Sequence, residues 1–331
     1  MQRASLFTIS SQEDFLKRSL ETFHYQYKHV EVYRRFVDYL GKDPSGVKDL
    51  YSIPFLPIEL FKNHRIWDSS KSFSPEVLTF KSSGTTGMER SVHYVADPLL
   101  YQESIERSFV QFLGSPKERV VLGLLPSYQE NGDSSLIYMV NHLMQESGRK
   151  QNGYYLYDHK ALSHQLAALA ERRIPVLLFG VSFALLDYLE SEGDKSFLKH
   201  LDLTVLETGG MKGRKEEITK EVLLEELRQG FCTEKIYSEY SMTELLSQAY
   251  ALEDNLYRTP PWMRVLIRQV EDPLRYVEEG RTGAINIIDL CNVHSCAFIA
   301  TKDLGLLQGG GFKVLGRMDN SDVRGCSLLV V

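Results

Sequence analysis

Three short apolar runs, each leading into a longer stretch of helical character, constrain this chain more than any other feature. They are Arg119-Val120-Val121-Leu122-Gly123-Leu124-Leu125, Pro175-Val176-Leu177-Leu178-Phe179-Gly180 and Leu203-Thr204-Val205-Leu206. Unbroken apolar runs of this length, rich in Val and Leu, read as strands buried on both faces. Between and around them, residues 101–112, 135–146, 162–172, 183–190 and 216–228 carry helical periodicity. Strand and helix in alternation predict an α/β fold with a largely parallel sheet. Any ligand of such a sheet is expected at the carboxyl ends of its strands.

The flanks differ. Phe15, Leu20, Phe23 and Tyr27, then Val32, Phe36 and Leu40, recur at helical spacing until Asp43-Pro44-Ser45-Gly46 breaks the pattern. Ile53-Pro54-Phe55-Leu56-Pro57 is an extended entry segment, because each proline biases its predecessor away from helix. After about Ala251 short strands with turn signals take over, at 263–269, 283–289 and 296–300. The expected organisation is therefore a helical segment over 1–75, an α/β core over 76–250, a smaller β-rich subdomain over 251–315 and a hinge-like tail over 316–331.

A net charge of −6 without a basic stripe argues against nucleic acid as a partner. No apolar run reaches the roughly 18 residues of a membrane span, and the start lacks the apolar core of a secretory signal. The four cysteines are scattered without C-x-x-C spacing, so a reduced, cytoplasmic protein is expected.

Five segments carry polar chemistry. Ser82-Ser83-Gly84-Thr85-Thr86-Gly87 follows a strand-like run at 77–80 and offers hydroxyls and glycines, the means to cradle phosphate oxygens. An ordinary loop has the same composition, and no Lys-Ser or Lys-Thr completes a P-loop. Glu207-Thr208-Gly209-Gly210 ends a strand, where paired glycines let a flat ring or a phosphate approach the backbone. Tyr240-Ser241-Met242-Thr243-Glu244 offers a ring for stacking, hydroxyls for phosphate and a carboxylate for Mg²⁺, while Ser241 and Glu244 also have capping-box spacing. Asp303, read as lying just after a strand, suits the two hydroxyls of a ribose or equally an exposed turn. Finally Gly316-Arg317-Met318-Asp319 begins a charged, glycine-flanked tail with Cys326 near Arg324, a cation that would favour a thiolate.

Taken in order, these segments resemble the motifs of the adenylate-forming enzymes, the superfamily of acyl-CoA synthetases and luciferases. Ser82 to Gly87 looks like its phosphate loop, Tyr240 to Glu244 like its Tyr-Gly-x-Thr-Glu motif, Asp303 like its ribose aspartate and Gly316 to Asp319 like its Gly-Arg-x-Asp hinge. Three departures stand out. Met88-Glu89-Arg90 replaces a typical Pro-Lys, with Arg90 a substitute for that lysine, and Ser241 replaces a glycine. The lid domain with its catalytic lysine is expected to be essentially absent. Within the superfamily the chain resembles the acyl-protein synthetases, through Ile53 to Lys62, Phe23-His24-Tyr25-Gln26-Tyr27 and Arg324-Gly325-Cys326.

That resemblance implies the fold of the adenylate-forming N-terminal domain, with ATP and Mg²⁺ as cofactors. It implies activation of a long-chain fatty acid as acyl-adenylate, acyl transfer to Cys326, and onward passage to a partner reductase. Ser82, Ser83, Gly84, Thr85, Thr86, Gly87, Thr208, Gly209, Gly210, Tyr240, Ser241, Asp303 and Arg317 would bind the nucleotide. Thr243, Glu244 and Cys326 would be catalytic, with Glu244 also the metal ligand. Two alternatives stay open: a ligase passing acyl to a carrier protein or CoA, and a non-catalytic nucleotide-binding scaffold.

Overall fold

The computed structural model describes residues 6–74, 76–83, 89–126, 132–209 and 218–318. One twelve-stranded sheet dominates it. Its parallel part runs Gly153–Tyr154, Val120–Leu124, Val176–Val181, Leu203–Thr208 and Ile236–Tyr240. All residues of Val120–Leu124, Val176–Val181 and Leu203–Thr208 are buried, as the continuous apolar sequence of the first two demands. Helices Ser135–Ser147, His159–Glu171, Ser182–Glu190 and Lys220–Phe231 supply the crossovers, near the positions expected.

After Ile236–Tyr240 the sheet changes sense. Ala249–Ala251 pairs with it antiparallel, followed by Tyr257–Arg258, Gly311–Arg317, Phe298–Gln308, Gly283–Asp289 and Met263–Arg268. Leu56–Pro57 adds a short parallel rung on Phe298–Gln308. Asp303 therefore lies inside an eleven-residue strand, not after one. A second difference lies at Ser241 to Glu244, where no helix follows the capping-box pattern. The Asp289 carboxylate takes the Leu246 N–H at 2.7 Å and the Ser247 hydroxyl at 2.6 Å, so a tertiary acceptor fixes this segment as turns. The strand expected at 77–80 is Leu78–Lys81, and Val92–Val95 pairs with it as a separate two-stranded ribbon.

The helical start packs on the antiparallel part. Helix Gln12–His29 is capped by Ser11, whose side chain accepts from Asp14 N, and carries Glu13 and Asp14 in its first turn. Its buried face is Phe15, Ser19, Thr22, Phe23 and Gln26. Gln26 docks it, donating to Asn292 O at 2.8 Å and accepting from Ala297 N at 3.0 Å. No helix among the described residues is long and apolar enough to cross a membrane.

Candidate functional site

At Tyr240 the pairing switches from parallel to antiparallel, and this switch point lies at the carboxyl end of the last parallel strand, the edge of the sheet at which open α/β folds hold ligands. Four of the expected residues converge there. Tyr240 Oη donates to Asp303 Oδ2 at 2.7 Å, and its ring packs edge-on against Tyr257 and Phe312. Asp303 stands opposite Arg317 in register. Burial raises the pKa of Asp303, while the Tyr240 hydrogen bond and the Arg317 charge oppose that rise. Glu244 is buried too; burial raises its carboxyl, and the Ser91 hydroxyl and the Arg317 charge pull it back. One guanidinium thus acts on two acids whose pKa values burial raises.

Ser91 links this cluster to the base of the hydroxyl-rich loop. Ser82 N donates to Ser91 O at 3.0 Å, and Ser91 N donates to Ser82 Oγ at 2.9 Å. Arg90, expected from sequence to substitute for a phosphate-binding lysine, meets the base of the loop in this structure. Its guanidinium donates to the carbonyls of Ser82 and Lys81, so it braces the loop base from below. Lys81 is held in turn by Asp133 at 2.8 Å. Ser83 is exposed. Gly84, Thr85, Thr86, Gly87, Gly210 and Cys326 lie outside the described residues.

Thr243 offers its carbonyl to His93 Nδ1 at 2.8 Å. His93 is fully buried, and burial pushes its pKa down to about 4, so it stays neutral at pH 7. Glu244 sits in ion-pair contact with no cation among the described residues, and its raised pKa makes a divalent cation the natural complement to its ionised form. That is the one observation bearing on Mg²⁺, and it fits.

Below the switch point is a buried carboxyl pair the sequence did not reveal. Glu207 accepts from Lys220, Ser182 and Ser238. Glu239, on the adjacent strand and in register with Thr208, accepts from Thr208 and Ser241. Thr208 therefore spends its hydroxyl on Glu239, and Ser182 also bonds Gly209 O at 2.6 Å. Gly209 has φ +75°, left-handed backbone that its missing Cβ makes cheap. Strand alternation puts Glu207 with Ser238 on one face of the sheet and Thr208 with Glu239 on the other.

Burial, with the Glu207 charge adding to it, raises the Glu239 pKa from 4.5 to about 7. A folded pKa above the unfolded value means the native state holds the extra proton. Stability contributed by the neutral form is complete below about pH 4.5 and is lost as pH rises through about 7. At about 1.4 kcal/mol per unit, the loss is on the order of 3 kcal/mol. Glu239→Gln should flatten that descent in urea melts at pH 5 and pH 8. Parallel pH dependence in the two proteins would exclude Glu239 as its source.

The acyl-protein synthetase family model, LuxE, matches residues 145–331. The chain belongs to the LuxE acyl-protein synthetase family. Members of this family activate and transfer acyl groups, and the matched stretch contains Tyr240, Glu244, Asp303 and Arg317. No protein of curated function matches the chain. Among solved structures it is similar to 2-hydroxyisobutyryl-CoA ligase in complex with 2-HIB-AMP and CoA, at 13% identity and TM-score 0.69, over 93% of this chain and 75% of that one. It is also similar to ATP-bound MatB from Rhodopseudomonas palustris, at 17% identity and TM-score 0.53, over 72% of this chain and 47% of that one. The amide bond synthetase McbA from Marinactinospora thermotolerans gives 16% identity and TM-score 0.54, over 75% and 51%. These likenesses establish the fold: the mixed sheet is that of the adenylate-forming ligase N-terminal domain.

Proposed function

We propose that the chain activates a long-chain fatty acid with ATP, carries the acyl group on Cys326 and passes it to a reductase partner. The observation that supports this best is the convergence of Tyr240, Asp303, Arg317 and Glu244 at the switch point, tied through Ser91 to the Ser82 loop. In this reading Asp303 accepts the ribose hydroxyls, and the turn at Thr208–Gly209 and the Tyr240 ring flank adenine. The loop from Ser82 to Gly87, with Thr243 and Arg317, offers donors to the phosphates. Glu244 would hold Mg²⁺, which when bound neutralises charge on the phosphate oxygens.

The fatty carboxylate oxygen attacks the α-phosphorus, the bond to the β-phosphate oxygen breaks and pyrophosphate leaves. Donors fixed beforehand stabilise the charge on the α-phosphate as it develops. The Cys326 thiolate then attacks the acyl carbon, the bond to the AMP oxygen breaks and AMP leaves, giving a thioester. A mixed anhydride is a far better electrophile than a carboxylate, which is why two steps succeed where one would not.

Carboxylate-dependent exchange of labelled pyrophosphate into ATP tests the first step. Asp303→Ala removes acceptors for two hydroxyls. At roughly 1.5–3 kcal/mol for bonds to a charged group, it should weaken ATP, read as KM, by about 10- to 100-fold. Absence of exchange with every carboxylate tried would sink the proposal.

A further inference from the structure

On the opposite face of the Phe298–Gln308 strand from Asp303 lies a cavity of about 380 Å³, within the size range of small-molecule sites. Successive strand residues point to opposite faces, so Asp303 meets Tyr240 while Lys302 turns the other way and pairs with Glu59 at 2.9 Å. The helical start and the β-rich part wall the cavity together. Phe36, Leu40, Tyr51, Phe55 and Leu274 supply apolar surface, and Arg268, Lys302 and Lys42 supply positive charge.

Arg268 is the distinctive member. Only 7% of it is exposed, and every acceptor it has among the described residues is neutral. Nη1 donates to Ile285 O and Asn286 Oδ1, and Nη2 donates to Thr301 O. A guanidinium has five N–H groups. The N–H of Nε and one on Nη2 remain without a protein acceptor among the described residues, on adjacent nitrogens of the planar fork. Of the two acids lining the cavity, Glu59 is taken by Lys302 and Asp272 by Arg275. The Glu59 charge reaches Arg268, but the Glu59 carboxylate is ion-paired to Lys302 and gives Arg268 no hydrogen bond, so a buried cation with spare donors faces an apolar chamber.

We infer that this cavity binds an amphiphilic carboxylate, its head on Arg268 and its alkyl chain among Phe36, Leu40, Tyr51, Phe55 and Leu274. A carboxylate matches the fork through two parallel bonds, and an alkyl chain matches the wall. This site is separate from the nucleotide site and stands whether or not the chain adenylates anything.

Equilibrium dialysis of radiolabelled decanoate with the full chain, without nucleotide, tests it. Binding should fall at least about tenfold in Ala300→Phe, which fills the chamber, and in Arg268→Lys, which keeps the charge but removes the fork. Decanol should bind at least about tenfold more weakly than decanoate, having no charge for the fork. Absence of decanoate binding, or binding unchanged in both variants, would overturn the inference. Should either variant unfold, a diazirine-bearing decanoate on the unaltered chain decides. Cross-links on peptides 36–59 and 268–276 support the site, and cross-links confined elsewhere refute it. Pyrophosphate exchange is measured independently, so failure of the adenylation reading leaves this outcome untouched.

Discussion

Cys326→Ala is expected to leave pyrophosphate exchange within about twofold of the unaltered chain while taking hydroxylamine-sensitive acyl label on the protein to background. The two readouts separate because the first step needs the nucleotide site and the second needs a thiolate. The cysteine inventory makes the test sharp. Cys291 and Cys296 are buried, and burial raises both thiols, that of Cys296 to about 12. Neither supplies a thiolate at neutral pH. Cys232 is exposed at the end of helix Lys220–Phe231, where its Sγ donates to Gln229 O at 3.6 Å. It is therefore the rival acceptor among the described residues, and Cys232→Ala should retain full label. Label that survives Cys326→Ala and disappears in Cys232→Ala would reverse the assignment. Label that appears on an added carrier protein or CoA, and never on the enzyme, would favour direct transfer to a separate thiol.

The parallel half of the sheet was legible because burial on both faces leaves a run of Val and Leu with no polar interruption, as at Val120–Leu124. The antiparallel half was harder to read. Thr301-Lys302-Asp303 looks like a turn, yet it lies within a strand, because Thr301 and Asp303 serve one side and Lys302 the other. Ser241 to Glu244 looks like a helix start; the acceptor that prevents it, Asp289, is remote in sequence. The short ribbon Val92–Val95 has His93 at its centre, a residue buried through its bond to the Thr243 carbonyl and so invisible to a hydrophobic pattern. The order of motifs led to Tyr240, Asp303, Glu244 and Arg317, and the structure brings these together. What order could not supply was direction: Arg90 is a cation beside a phosphate-type loop, but its guanidinium meets backbone carbonyls. The Glu207–Lys220 pair was hidden for the same reason, since Lys220 opens a charged helix that reads as a solvated face.

That pair should dominate stability. Glu207 is fully buried and Lys220 is its one cation among the described residues, reaching it from the first turn of helix Lys220–Phe231. Lys220→Met keeps the apolar stem and removes the charge. Among the described residues it leaves the interior carboxylate only the Ser182 and Ser238 hydroxyls to solvate it. Breaking a buried pair from one side costs on the order of 3–5 kcal/mol. The lower end is expected here, because 22% of the Lys220 side chain reaches solvent. Adding Glu207→Gln should restore most of the loss, since a neutral amide can keep both hydroxyl partners without a buried charge. Urea midpoints for the two single variants and the double variant measure this. A Lys220→Met midpoint within about 1 kcal/mol of the unaltered chain would show that the pair contributes little. The stakes reach the site, because Ser182, which bonds Glu207, also holds the Gly209 carbonyl where the expected adenine pocket begins. Lys220→Met should therefore raise the KM for ATP even at pH values where the protein remains folded, and the double variant should reverse that rise.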